Sequence, residues 1–330
     1  MNDLKKIRIG IIGAGKIVEV AHLPQLAIRN DVEIAWIFDR DGARAQRLAQ
    51  SYRSKAVLQP DYSGVELALL ALPLGAREPF IAAAAAAGIA LYVEKPAARN
   101  RDEHQRLVER FAPHACAIGL QRRFYPQVAL LRLAIERRWF GSLQSVQLHS
   151  CNFNLKSGGS THFTQDVSQA GGGITIESAI HLIDIVVWIC AATNARVLER
   201  RAFAQGLLDF EMRFQAELIA EFGASVPFNA QISTLRNDPR NGFELHFERA
   251  LLRWSGDPAA PVRLIDGESE VAFGAQYSSV AASFIHCWDS VFKALREAKA
   301  NASSARNSSA TSALMGQLYQ DLAQPEKDRS

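Results

Sequence analysis

The opening of the chain narrows its possible folds more than any other segment: Ile7 to Ile12 runs straight into Gly13-Ala14-Gly15. The run is apolar and β-branched with little polar alternation, as in a strand buried on both faces. Glycine without a side chain lets backbone amides approach a pyrophosphate, and the helical segment that follows, running past His22, adds favourable partial charge at its N-terminus. The third position of this fingerprint is Val18 instead of glycine or alanine. A second strand, Glu33 to Phe38, ends at Asp39-Arg40. A carboxylate there accepts from both hydroxyls of an adenosine ribose and repels a 2′-phosphate, which favours NAD over NADP, while Arg40 is placed to hold a phosphate or stack on adenine. The plainer role for Asp39 is to cap the next helix.

That helix runs to Ser51, and Val65 to Ala71 reads as a further strand. Pro79 to Gly88 holds the alanine run Ala82 to Ala87, a packing helix stopped by glycine. Strand Ile89 to Val93, helix Asp102 to Arg110 and strand Ala115 to Leu120 complete an alternation that predicts a parallel, doubly wound sheet, a Rossmann dinucleotide-binding domain over residues 1–121. After Arg123-Phe124-Tyr125-Pro126 comes an amphipathic helix to Trp139, then segments of period two: Ser145 to Phe153, Arg196 to Ala202, Gln215 to Phe222, Phe228 to Thr234, Phe243 to Phe247 and Leu251 to Trp254. These predict an open, mainly antiparallel sheet in an α+β domain over 122–330; its loops are where a substrate wall is expected, and open sheets of this kind often pair with another subunit. Ala281 to Ala298 reads as a helix, and Asn301 to Ser312 as a polar linker before a last short helix.

At 330 residues, with 48% apolar and 22% charged residues, the chain has the balance of an ordinary globular protein of two domains. A net charge of +3, with its arginines and lysines scattered, suits an anionic ligand and does not imply nucleic acid. The four cysteines, Cys116, Cys151, Cys190 and Cys287, show no metal-ligand spacing and read as free buried thiols. No apolar stretch reaches the roughly 18 residues a membrane span needs, so a cytoplasmic protein is expected.

Two further motifs carry chemistry. Glu94-Lys95-Pro96 delivers an ammonium directly after a strand, at the mouth of the nucleotide fold. Glu177, His181 and Asp184 fall four and three residues apart on one face of a helix. A hydride leaves a carbinol only as its hydroxyl proton departs, so a base of near-neutral pKa must stand beside it. His181 suits that role with Lys95 holding the oxygen; a buried Lys95 with a lowered pKa would serve as the base itself. The plainer reading makes His181 and Asp184 a bonded pair inside a core helix.

In combination, Gly10-Ile11-Ile12-Gly13-Ala14-Gly15, His22-Leu23-Pro24, Ala71-Leu72-Pro73, Glu94-Lys95-Pro96, Arg123-Phe124 and Gly171-Gly172-Gly173 before Glu177 and His181 resemble the Gfo/Idh/MocA oxidoreductases over nearly the whole chain. The resemblance implies a sugar, nucleotide-sugar or cyclitol dehydrogenase, forming dimers or tetramers. It places Lys95 at the nicotinamide end and proton exchange on His181. Glu177 replaces the family's usual aspartate, Arg77 its common histidine and Leu74 its common asparagine. The expected catalytic set is therefore Lys95, His181 and Glu177. The expected cofactor contacts are Gly13, Ala14, Gly15, Lys16, Ile17, Asp39, Arg40, Leu72, Pro73, Glu94 and Lys95; the expected substrate contacts are Arg123, Lys156, Asp166 and Asp184. Two other outcomes of such a fold are a redox-neutral NAD-dependent glycosidase and a non-catalytic sugar-binding regulator.

Overall fold

The computed structural model describes residues 5–151, 171–220, 225–274 and 278–322. The first sheet has six parallel strands in the order β3-β2-β1-β4-β5-β6. They are β1 (Ile7–Ile12), β2 (Val32–Phe38), β3 (Lys55–Ala56), β4 (Leu67–Leu70), β5 (Ala90–Val93) and β6 (Cys116–Ile118). Helices α1 (Leu23–Ala27), α2 (Gly42–Ser51), α3 (Glu78–Ala86) and α4 (Arg101–Glu109) fall between strands, as the alternation predicts. The strand order reverses beside β1, which has β2 on one side and β4 on the other. Loops leaving the carboxyl ends of β1 and β4 at such a reversal form the usual nucleotide crevice.

The second sheet has eight strands in the order β14-β13-β12-β11-β7-β10-β9-β8. They are β7 (Leu143–Cys151), β8 (Ala192–Gln205), β9 (Leu208–Ala220), β10 (Ser225–Ser233), β11 (Gly242–Phe247), β12 (Leu251–Trp254), β13 (Val262–Asp266) and β14 (Ser269–Phe273). All pairings are antiparallel except β7 with β10. The period-two segments account for β7 to β12, whereas β13 and β14 were not expected; β14 is exposed along most of its length and shows no apolar face to read. One face buries Val146, Met212, Phe214, Phe228, Ile232, Phe243, Leu245 and Trp254 against α5 (Pro126–Glu136) and α6 (Ile180–Ile189).

The edge strand β8 is protected by the last helix, α8 (Ser309–Tyr319). Val197 N donates to Gln317 Oε1 at 2.9 Å and Gln317 Nε2 donates to Ala195 O at 2.8 Å, so a side-chain amide stands where another strand would pair.

The chain folds as two compact units, and the first takes in a segment from far beyond Gln121. One compact unit comprises Met1–Ala97, Gln105–Gln121 and Phe284–Arg306; the other comprises Ala98–His104, Arg122–Ser283 and Asn307–Ser330. The reason lies in α7 (Val280–Glu297). Its Trp288 stacks on Tyr92 of β5 at 4.6 Å, and His22 packs edge-on to Phe284 and Trp288 at 5.2 and 5.6 Å. Burying such rings stabilises by about 1.5–3 kcal/mol each, so the first unit keeps this helix. The segment expected as a polar linker is likewise folded: Ser303, Ser304 and Ala305 are buried, Ser304 bridges to Ala117, and a 3-10 turn at Ala305–Ser308 leads into α8. Its hydroxyls are used inside, as when Ser304 Oγ donates to Pro113 O at 2.6 Å.

Candidate active site

In the first unit, Gly13 turns the chain at φ +101°, and a Cβ there would lie 2.4 Å from Ala71 O, so only glycine fits. Gly15 is different, because a Cβ on it meets nothing within 4 Å. The space beside it is open, and a glycine turn at the start of a helix suits a dinucleotide pyrophosphate. Lys16 and Ile17 follow on the exposed surface. Val18 is fully buried at the start of a π-helical turn, Val18–His22, a wider coil that seats a β-branched side chain where the fingerprint has glycine or alanine.

Asp39 does not cap α2. That task falls to Asp41, whose Oδ1 accepts from Arg44 N at 3.2 Å. Asp39 instead accepts from Ala14 N at 2.6 Å and from Asp41 N at 2.8 Å, which fixes its carboxylate against the glycine turn. Arg40 beside it is exposed.

Leu72 and Pro73 are half-buried in the loop after β4, and Lys95 is half-buried directly after β5, with its bond to Pro96 cis. Glu94, expected at the cofactor, has a carboxylate that is 9% exposed and meets His22 Nε2 at 2.9 Å, and the His22 ring packs edge-on to Tyr92, Phe284 and Trp288. Its second oxygen accepts from Lys95 N at 3.2 Å. Arg77 is buried as well, donating to Leu72 O at 2.7 Å, to Glu94 O at 2.7 Å and to Pro96 O.

In the second unit, Thr175–Ala179 is again a π-helical turn, continuing directly into α6. Glu177 on this turn is exposed, while His181, four residues on, is buried at 7% exposure. Arg123 and Asp184, expected at the substrate, are paired with each other. Arg123 Nε and Nη2 donate to the two carboxylate oxygens of Asp184 at 2.7 and 2.6 Å, with both side chains at most 2% exposed. Thr311 Oγ1 adds a 2.8 Å bond to Asp184, and Trp188 lies under the guanidinium at 4.6 Å. Lys156 and Asp166 lie outside the described residues.

Two residues that sequence reasoning passed over stand out. Arg122 is half-buried, its Nε has no acceptor among the described residues, and burial lowers its pKa against the opposing effect of Tyr125. Asp209, 2% exposed on β9, accepts from Gly173 N at 3.0 Å, Thr175 N at 3.2 Å, Thr175 Oγ1 at 2.5 Å and the Tyr319 hydroxyl. Burial, reinforced by the charge of Asp209, pushes the Tyr319 phenol well above its ordinary pKa, so it stays a donor. The glycines need no side chain because none fits: a Cβ on Gly172 would meet the Tyr319 ring at 2.7 Å, and one on Gly173 would meet the Asp209 backbone at 2.3 Å.

Residues 7–121 match an oxidoreductase family, Gfo/Idh/MocA, in its NAD-binding Rossmann fold, and residues 128–253 match the family's C-terminal domain. Inositol 2-dehydrogenase of Corynebacterium glutamicum (strain R) is 25% identical over 286 residues, 80% of this chain and 78% of that protein. KijD10, a 3-ketoreductase from Actinomadura kijaniata solved with NADP and TDP-benzene, superposes with a TM-score of 0.79 at 15% identity over 94% of this chain and 96% of its own. GenD2 from gentamicin A biosynthesis, solved with NAD, gives 0.73 at 18% identity over 97% and 96%. At such identities these two structures share the fold alone. The glycine turn, the lysine after β5 and the matched halves of the chain lead to one conclusion: this protein belongs to the Gfo/Idh/MocA family and is an NAD(P)-dependent oxidoreductase.

Proposed function

We propose that the protein interconverts a ring secondary alcohol and its ketone on a cyclitol, sugar or nucleotide sugar, with NAD preferred over NADP. The carrying observation is the carboxylate of Asp39, fixed 2.6 Å from Ala14 N. A ribose hydroxyl finds an acceptor there, whereas a 2′-phosphate meets a negative charge that has no freedom to withdraw. Nicotinamide, when bound, supplies the hydride acceptor. His181 takes the hydroxyl proton and Lys95 donates a hydrogen bond to the same oxygen as it becomes a carbonyl, the roles reversing on reduction. The exposed Glu177 and the guanidinium of Arg122 are the residues we assign to the remaining ring oxygens. Relatives named for inositol oxidation support a cyclitol as the first substrate to try.

No helix among the described residues is long and apolar enough to cross a membrane, and all four cysteines are buried free thiols, which supports a reducing cytoplasmic setting. The exposed Phe203 and Phe210, with rings 6.1 Å apart at the β8–β9 end of the open sheet, support a homodimer or homotetramer.

The test is absorbance of reduced nicotinamide with NAD or NADP against inositols, sugars and nucleotide sugars, with Lys95→Ala as control. Expected are NAD reduction by one substrate group and a loss of at least about 100-fold in Lys95→Ala with NAD binding retained. Tightly held NAD without net reduction on any substrate would overturn the reading.

A further inference from the structure

The two loops that leave neighbouring strands β4 and β5 share one buried cation. Arg77 is 4% exposed. Its Nε donates to Leu72 O at 2.7 Å, and its Nη1 donates to Glu94 O at 2.7 Å and to Pro96 O. Leu72 lies just beyond β4, and Glu94 and Pro96 stand on either side of Lys95. Carbonyls beyond the end of a strand have no ladder partner, and a planar guanidinium with five donors in a fixed fork is the side chain that reaches several at once. A lysine ammonium, a point donor on a flexible stem, does not reproduce that fork.

We propose that Arg77 is a positioning residue for Lys95. By holding the carbonyls on both sides of Lys95 it fixes the backbone from which the ammonium projects, and through Leu72 it ties that backbone to the Leu72-Pro73 loop. Glu94 secures the same loop independently, through His22 and through Lys95 N. This rests on the reading above that Lys95 handles the reacting oxygen, for which a displacement of about 1 Å costs on the order of 100-fold in rate.

The test uses the full chain as Arg77→Lys and Arg77→Ala. For Arg77→Lys we expect kcat to fall on the order of 100-fold while the Kd for NAD changes by less than about threefold. For Arg77→Ala we expect partial recovery by guanidinium ion at tens of millimolar, with none from ammonium or methylammonium at equal ionic strength. A second readout needs no turnover: competitive acylation of lysines across pH, resolved by peptide mass spectrometry. Lys95 labelling should shift in both variants and return with guanidinium in Arg77→Ala, while Lys16 and Lys55 stay unchanged. A folded Arg77→Lys protein with unchanged kcat and unchanged Lys95 labelling would overturn the inference, as would recovery by ammonium as good as by guanidinium. If the parent protein turns over no substrate and Lys95 labelling still shifts and recovers, the positioning role stands and the dehydrogenase reading falls.

Discussion

The Lys95 loop and the His181 helix are both held by a buried charge, and the two charges have opposite signs. Behind Lys95 stands the cation Arg77, whose acceptors are the carbonyls of Leu72, Glu94 and Pro96. Ahead of His181 stands the anion Asp209, whose donors are Gly173 N, Thr175 N, Thr175 Oγ1 and the Tyr319 hydroxyl. The sign follows from the backbone being held. A helix begins with N–H groups that lack intrahelical acceptors and carry partial positive charge, so a carboxylate fits. A chain leaving a parallel strand presents carbonyls, so a guanidinium fits. The functional residue is a cation or imidazole in both places; the neighbouring backbone, not the chemistry, selects the buried partner.

The comparison breaks most readily at Asp209. Asp209→Ala strips the acceptor from buried donors, at about 1–3 kcal/mol for each group left unsatisfied, so a loss of about 3 kcal/mol is expected in urea unfolding. Asp209→Asn keeps the shape and turns an NH2 toward groups that themselves donate, so it should recover less than half of that loss. An Asn variant as stable as the parent would show that shape, and not charge sign, is what the helix start requires.

A matched pair of glycines sharpens the same contrast at lower cost. In Gly173→Ala the new Cβ meets backbone atoms of Asp209 at 2.3 and 2.4 Å, which cannot swing aside. In Gly119→Ala it meets the Glu94 carboxylate at 2.5 Å, a side chain that yields by leaving His22. About 2 kcal/mol is expected for Gly173→Ala and less for Gly119→Ala. The second should nevertheless alter Lys95 labelling, which the first should leave alone.

The smallest effect belongs to a half-exposed pair used for contrast. Burial by itself would raise the carboxyl of Asp31, but hydrogen bonds and charge from Arg29 and Arg296 outweigh it and hold the group at about 2, below its ordinary 3.8. A carboxyl lowered on folding adds stability that is complete above its unfolded pKa and is lost as pH falls through the folded one. The thermal midpoint of the parent should therefore exceed that of Asp31→Asn above about pH 4, and the gap should close as pH approaches about 2. A gap unchanged across that range would mean the ion pair contributes only shape.

How much of this was legible depended on sequence distance. The strand, glycine turn and helix at Ile7 to His22, the alternation that builds the first sheet, Lys95 after β5 and His181 in its helix all write their pattern into a few adjacent residues. The devices that hold them do not. Asp209 is 36 residues from Gly173 and 110 from Tyr319, and Glu94 is 72 from His22. A buried aspartate, glutamate or arginine looks in sequence like any solvated charge, so the pairing of Glu94 with His22, of Arg123 with Asp184 and of Arg77 with its three carbonyls leaves no mark there. The π-helical turns were invisible for another reason: an inserted residue shifts which side chains share a face without changing composition.

The place of α7 has a consequence for how the protein is made. Tyr92 and His22 are synthesised early, yet the aromatic side chains that cover them, Phe284 and Trp288, come nearly two hundred residues after Tyr92. While the ribosome translates the intervening sheet, the nucleotide-binding half carries an uncovered aromatic surface of the kind that attracts holding chaperones. Its final closure is therefore a late event, timed by the synthesis of α7.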